Sequence, residues 1–395
     1  MTGMSRERIL PKPGRYRPAL LAVVSLAAAL AVPAAQAEET GWHFSGDIRA
    51  GYYDSERTDR NGMESDSHAL RGRLRLAAER DLGEYLHFRA RFAGRYGQHQ
   101  TGHGFQLHGY ASTSTGMELG ESTLDEVYLD YADAAQPWSL RLGRFQTRFA
   151  LQGVASKGLD RNDSPNIDIT WTDGLHYRHQ LQPAWRAHLV LEHNHRKGPG
   201  SAVRAPLEFS DDASRVTVFA GLEASEALGP VTQRMIGVTW MPAALASDGT
   251  AFSRREDYIT LVGRMAASWR LTEAGLRLVP GFEIGYAPNT PRATVTGSGN
   301  AGDAGGLAWQ AALSLYDIAP GHNLGLVHAR TEAGWLISGD FRGNDALSEI
   351  RYQWRFTPEW SMEARYRLRE EIDIPAGVMR QREDRDFYMR ISGRF

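Results

Sequence analysis

The 395-residue sequence contains no cysteine, and after the first 37 residues only two lysines occur, Lys157 and Lys197. The lack of cysteine excludes disulfides, cysteine-ligated zinc and thiol catalysis. Beyond the N-terminal segment, no apolar run reaches the roughly 20 residues that a transmembrane helix requires. These absences exclude several classes of protein and leave the distribution of the remaining residues as the main source of information.

The first 37 residues have the pattern of a secretory signal peptide. A basic region precedes an apolar stretch at residues 19–32, and Ala35-Gln36-Ala37 supplies a small-x-small cleavage site. The basic residues are Arg6, Arg8, Lys12, Arg15 and Arg17. Because the apolar stretch is shorter than the roughly 20 residues that span a bilayer, we expect cleavage and not a membrane anchor. Residues 1–37 would then be removed and residues 38–395 would form the mature protein.

The mature chain is acidic overall. Of the 45 basic and 47 acidic residues, removal of the signal takes away five and one, which leaves a net charge near −6. Nothing in this balance suggests a nucleic-acid partner, and we predict no cofactor. Histidines occur close together at His99, His103 and His108 and on both sides of Asn194, at His193 and His195. Such spacing could bind a transition metal, but exposed loop histidines are more common, so we predict no metal site.

From Glu38 onward, short segments alternate apolar and polar residues with period two, as strands with two different faces do. Arg71, Arg73 and Arg75 share one face of residues 69–78, and leucines share the other. The pattern predicts sixteen strands. They span residues 42–53, 69–78, 84–97, 122–132, 138–145, 174–180, 184–193, 214–224, 230–240, 257–269, 275–287, 305–316, 321–329, 347–356, 359–369 and 385–395.

The connections between these segments alternate between long and short along the whole chain. Outer-membrane barrels have tight periplasmic turns and long external loops, so the alternation predicts an even strand count with both termini periplasmic. Residues 174–180 and 321–329 alternate least, and an error there would reduce the count to about 14. A soluble sandwich of so many arginine-bearing strands would need an unusually large core. We therefore predict an all-β fold, a transmembrane antiparallel up-and-down barrel.

The signal pattern, the hairpin series and the terminal segment FYMRISGRF resemble the Gram-negative outer-membrane porin superfamily. In that superfamily a C-terminal aromatic belongs to the signal that the barrel-assembly machinery recognises, and the resemblance assigns this role to Phe395. It implies a location in the outer membrane, in contact with its lipid. It also suggests a homotrimer, which no sequence feature demonstrates.

A narrower likeness lies in LDEVYLDY and LRLGRFQTRF, residues 124–131 and 140–149, which are similar to a strand pair in phosphate-selective porins of the O and P type. That subfamily is associated with several lysines in the constriction. Here only Lys157 lies in a plausible pore loop. Phosphate specificity is therefore not carried over.

In a barrel of this kind the polar face lines an aqueous lumen, which would hold about 22 arginines against about eight acids. Many acids instead lie in connections such as Asp54–His68. The predicted pore-lining arginines of the strands are Arg71, Arg73, Arg75, Arg89, Arg91, Arg95, Arg141, Arg144, Arg365, Arg367 and Arg369. A wall of one charge sign concentrates solutes of the other, which predicts anion preference. An arginine-rich genome would explain the choice of arginine over lysine, but not the sign of the charge.

The connection Gln146–Asp173 is the longest, and in porins the third long loop commonly folds into the barrel and sets the constriction. It carries Arg148, Lys157, Arg161 and Asp163. The alternative is a surface loop with solvated charges. We therefore treat residues 146–173 as a candidate constriction loop.

These features predict a passive diffusion channel for small hydrophilic, mainly anionic, solutes. Two alternatives remain open: a barrel enzyme of the lipase or protease type, and a non-conducting structural barrel. An enzyme would need a serine–histidine pair at the outer rim, and no G-x-S-x-G motif stands out, so we predict that the protein is not an enzyme.

Overall fold

The computed structural model describes residues 41–98, 100, 104–105, 107, 119–163, 166–194, 205–209, 214–250, 254–273 and 275–395. The predicted signal peptide lies outside these residues. So do four of the five histidines considered as metal ligands, namely His99, His103, His108 and His195.

Sixteen antiparallel strands form one sheet in chain order, and the last strand pairs with the first to close a barrel. They are β1 His43–Thr58, β2 Glu64–Asp81, β3 Leu86–Gly97, β4 Glu121–Ala132, β5 Trp138–Phe145, β6 Thr172–Gln182, β7 Trp185–His193, β8 Val216–Ala224, β9 Val231–Ala246, β10 Arg255–Ala267, β11 Arg277–Tyr286, β12 Leu307–Ala319, β13 His322–Thr331, β14 Asp345–Arg355, β15 Trp360–Glu371 and β16 Glu383–Arg394. The prediction of sixteen strands is confirmed, including the two strands with the least alternation.

Three small elements complete the described structure. Gly104–Phe105 pairs with β4, Trp269–Arg270 pairs with β11, and α1 is the single turn Ala293–Thr296. Within the described part of the chain, no helix is long and apolar enough to cross a bilayer.

The two faces of the sheet differ in polarity in the sense expected of a membrane barrel. Arg264 on β10 and Glu283 on β11 are directly opposite in register, and both are buried inside. Their sequence neighbours Met265 and Phe282 are exposed outside, at 54% and 45%. Side chains alternate between faces along each strand, so one pair of this kind fixes the orientation of the whole register. The apolar residues therefore face outward.

Long loops gather at one end of the barrel and short turns at the other, where both ends of the barrel domain also lie. Gly46 and Phe395 exchange two backbone hydrogen bonds there, at 2.7 and 3.0 Å. The predicted loop Asp54–His68 is wrong in extent. Strands β1 and β2 remain paired up to Thr58 and Glu64, which leaves a connection of residues 59–63. Charged side chains do not prevent this because the backbone supplies the pairing and both faces can meet water above a bilayer.

Candidate functional site

The third long connection, residues 146–171, lies inside the barrel, and we call it loop L3. Its contacts reach inner-face side chains from widely separated strands. The backbone N–H of Leu159 donates to Glu283 of β11 at 3.1 Å, and the Arg161 side chain pairs with Glu192 of β7 at 2.7 Å. Strands β7 and β11 are separated along the wall, so only a segment within the lumen can contact both.

The far part of L3 is held by arginines of the opposite wall. Arg73 of β2 donates to the Asp168 carbonyl oxygen at 2.8 Å, and Arg49 of β1 donates to the Asn166 carbonyl oxygen. Arg390 of β16 donates to the Asn166 side chain. Loop carbonyls thus use part of the hydrogen-bonding capacity of these arginines, which gives them a structural role.

A second connection, residues 332–344, also folds inward and holds the turn of L3. Trp335 Nε1 donates to the Leu159 carbonyl oxygen and Ser338 Oγ to the Gly158 carbonyl oxygen, both at 2.9 Å. The Gly158 N–H donates to Asp340 Oδ2, also at 2.9 Å. The sequence did not predict this second inward loop, because no strand period marks residues 332–344.

The two loops pack in an apolar cluster that fills one side of the lumen, and we call it the apolar plug. Its buried members are Leu159, Leu207, Phe209, Met241, Ala244, Leu245, Tyr258, Val262, Ala287, Ala308, Val327, Ala329, Trp335, Leu336, Ile337, Phe341 and Leu347. Glycines on the wall admit the loops. A Cβ on Gly285 would lie 2.4 Å from the Trp335 ring, and one on Gly325 would lie 2.9 Å from the Val154 side chain. Only glycine fits at such positions without displacing the loop.

On the other side of L3 the lumen contains a cavity of about 800 Å³, which we call the basic cavity. Its walls come mainly from β1, β2, β14, β15 and β16, together with L3 and residues 339–342. Twelve arginines and Lys157 line it against eight carboxylates. The arginines are Arg49, Arg57, Arg71, Arg75, Arg95, Arg148, Arg342, Arg351, Arg365, Arg367, Arg369 and Arg390. Cationic side chains therefore outnumber carboxylates by five in the lining of this cavity.

No family model and no curated protein matches the sequence. Among solved structures, OprB of Pseudomonas putida at high pH superposes with a TM-score of 0.60 at 13% identity, covering 91% of this chain and 96% of that one. The barrel has the fold of an outer-membrane porin.

Two further solved structures support the same porin fold. The outer-membrane channel DcaP of Acinetobacter baumannii gives a TM-score of 0.54 at 11% identity, covering 90% of this chain and 98% of that one. An anion-selective porin from Comamonas acidovorans gives 0.52 at 11% identity, covering 90% and 100%. At these identities the likeness establishes the fold, and function has to be argued from the site.

In this porin barrel, nine of the fifteen residues predicted to line the pore border the basic cavity. They are Arg71, Arg75, Arg95, Arg148, Lys157, Asp163, Arg365, Arg367 and Arg369. The other six are Arg73, Arg89, Arg91, Arg141, Arg144 and Arg161. Five of these six face inward but are held by L3 or by acidic partners, as with Arg141, which pairs with Asp130 at 2.6 Å.

Asp125, an acidic residue that the sequence did not place in the lumen, is the partner that keeps Arg91 away from the basic cavity. Asp125 is fully buried and pairs with Arg91 through two hydrogen bonds of 2.8 Å. The register between β3 and β4 shifts at this point, so that Asp125 and Glu126 both face inward. A β-bulge adds one residue to a strand and breaks the two-residue period. Strict alternation therefore assigned only Glu126 to the lumen.

Arg144 is not a pore-lining residue, which corrects the prediction. In register it lies between Val127 and Asp173, and Val127 belongs to the outward-facing set. Its guanidinium forms a bidentate pair with Asp173, at 2.7 and 3.0 Å, and stacks on Trp171. Arg144 therefore links β5 to the start of β6 and to the end of L3.

Two titratable groups of L3 border the basic cavity with shifted pKa values. Burial raises the pKa of Asp168 to about 6, although Arg95 and Arg73 act in the opposite direction. Burial lowers the pKa of Lys157 to about 8, opposed by Glu349, whose carboxylate lies 3.1 Å from Nζ. The charge of the cavity therefore changes near neutral pH.

Across the described residues, no group of three or more histidine, aspartate or glutamate side chains is arranged to hold a metal ion. His193 is the described member of the histidine set considered in the sequence, and it lies on the outer face at the end of β7.

Proposed function

We propose that the protein is a passive diffusion channel that carries small hydrophilic solutes across the outer membrane and prefers anions. The observation that carries this proposal is the basic cavity, in which thirteen cationic side chains outnumber eight carboxylates inside a porin-type barrel. A pore wall with an excess of one sign raises the local concentration of oppositely charged solutes. One structural neighbour is described as anion-selective, which supports the proposal without deciding it.

In this proposal residues 146–173 form the constriction. L3 separates the apolar plug from the basic cavity, so solutes would pass on the basic side alone. The predicted signal peptide, assembly through Phe395 and a homotrimeric state belong to the same proposal, as expectations from the porin resemblance.

The apolar plug favours a second candidate, a non-conducting structural barrel. Buried apolar side chains fill one side of the lumen, and two inward loops narrow the rest. The two candidates differ in whether a continuous aqueous path remains beside L3.

Planar-bilayer recordings on the purified mature protein would separate them. A channel should give stable conductance steps, and a salt gradient should give an anion-over-cation permeability ratio above one. Heat-denatured protein is the matched control. Absence of steps from well-folded protein would contradict the channel, whereas cation preference would contradict only the inference from charge.

A further inference from the structure

The arginines of the basic cavity differ in whether another group of the protein already pairs with their guanidinium. Ten of the twelve form an ion pair or hydrogen bond within the protein, and an eleventh, Arg95, interacts electrostatically with Asp168. Arg75, for example, pairs with Asp47, Arg367 with Asp386 and Arg390 with Glu363. Among the described residues Arg71 forms neither, and its guanidinium carbon lies over the face of the Tyr53 ring, 5.8 Å from the ring centre.

We propose that Arg71 is the binding residue for the oxyanion group of a passing solute and the main determinant of anion selectivity. This inference rests on the proposed channel function. It distinguishes one arginine that binds solute from others that hold L3 or are neutralised by carboxylates.

The immediate surroundings of Arg71 leave room for a ligand. Its two cross-strand neighbours are glycines, Gly51 on β1 and Gly97 on β3. The positions directly opposite Arg71 therefore carry no side chain, and the neighbouring strand β1 contacts its guanidinium through Tyr53. A Cβ on Gly51 would lie 2.6 Å from the Arg390 Cβ, so this position accepts no larger residue without a shift.

The hydrogen-bonding state of Arg71 points the same way. Its Nε atom is buried and has no acceptor among the described residues, as is also the case for Nε of Arg365, Arg369 and Arg390 in the same cavity. The terminal nitrogens of its guanidinium also donate no hydrogen bond to the described residues, and they are the groups through which Arg71 can bind an oxyanion. Ser67 lines the same cavity and supplies a hydroxyl group, whereas the Tyr53 hydroxyl already donates to Asn166 Oδ1. A guanidinium together with a hydroxyl group suits a carboxylate or a phosphate, which accept several hydrogen bonds at once.

The test uses the purified mature protein in planar bilayers, with succinate and inorganic phosphate as blockers of the chloride current. R71Q should lower the chloride-over-potassium permeability ratio towards one and raise the half-blocking concentration of both anions about tenfold, the change expected for loss of one charge-assisted pair. R71K should keep the permeability ratio but bind the anions more weakly, because an ammonium lacks the planar fork of a guanidinium. The better blocker of the wild type identifies the preferred oxyanion.

The matched control is R380Q/E383Q, which removes an exposed ion pair outside the basic cavity without changing net charge. It should leave both the ratio and the block at wild-type values. Wild-type ratio and block in R71Q would overturn the proposal, as would a control that loses as much as R71Q. If R71Q does not assemble, an unchanged half-blocking concentration in R71K overturns it. A wild type without conductance steps would contradict the channel function itself, and this inference with it.

Discussion

The two sides of the lumen have the same alternation of inward and outward residues, but their inward side chains do different things. On the side of β10 to β13, inner-face residues support the apolar plug, and the loops L3 and 332–344 are fixed there. On the side of β1, β2 and β14 to β16, long arginines extend into a cavity of about 800 Å³. The comparison shows that inner-face side-chain size, and not only polarity, decides where a lumen stays open.

The difference in size is visible residue by residue. Gly281 and Gly285 on β11, Ala308 on β12 and Gly325 on β13 leave space next to the wall, which Leu151, Trp335 and Val154 fill. On the basic side many of the inward positions carry arginine or tyrosine. These long side chains leave no space next to the wall for a loop. Buried apolar area then stabilises the loops on one side only.

The largest expected effect is on the plug. Trp335→Ala would remove a side chain that is 1% exposed and a hydrogen bond to the Leu159 carbonyl oxygen. Replacing a buried aromatic by alanine costs about 3–5 kcal/mol, so we expect a clear fall in the thermal unfolding midpoint in detergent. The released L3 should also make single-channel currents noisier. Trp269→Ala is the control, because Trp269 is 43% exposed, and an equal loss in both variants would contradict the plug's role.

A smaller effect is expected on the basic side, from pH. The pKa of Asp168 is raised to about 6, so this carboxyl is neutral below that pH and negative above it. Anion selectivity should therefore rise as pH falls through 6. Because folding raises this pKa, stability falls as pH rises from the ordinary value of 3.8 to about 6 and does not change further above it.

Reversal potentials measured between pH 5 and pH 7.5 would check the Asp168 prediction. Asp168→Asn should hold the anion selectivity at its low-pH value, so that it no longer changes near pH 6. A step near pH 6 that survives in this variant would assign the titration to another group.

The smallest effect is expected from Lys157, at the border between the apolar plug and the basic cavity. The pKa of Lys157 is lowered to about 8, so the cavity loses one positive charge as pH rises through 8. Anion selectivity should then fall slightly, because Lys157 is only 4% exposed and is paired with Glu349. Lys157→Met should show the lower selectivity at every pH, whereas Lys157→Arg should remove the step and keep the higher value. A step near pH 8 in Lys157→Arg would contradict this assignment.

Much of the fold could be predicted from the sequence, because each strand of a membrane barrel carries its own period-two pattern. The weakly alternating segments near Leu175 and Leu326 still form strands, since hydrogen bonds from both neighbours complete the ladder. The inward position of Arg71 follows from the same alternation. What alternation could not reveal is which inward charges have partners.

The missed features share a physical cause. The bulge at Asp125 changes the phase of a strand, and the pairing of Arg264 with Asp160 joins residues more than 100 positions apart. Residues 332–344 carry no periodic pattern at all. The small inner residues on β11 to β13 were the one available signal, because inward glycine and alanine predict that another segment packs against them.

By itself the sequence determined the strand number, the faces of the strands and the alternation of turns and loops, because these depend on the local period of apolar residues. Only the tertiary structure decided that two loops fill one side of the lumen and that acids reach most of the arginines. It also decided that Arg71 lies between two glycines, with no ion pair or hydrogen bond from its side chain to the described residues. These outcomes depend on contacts between distant segments, and the local pattern carries no record of them.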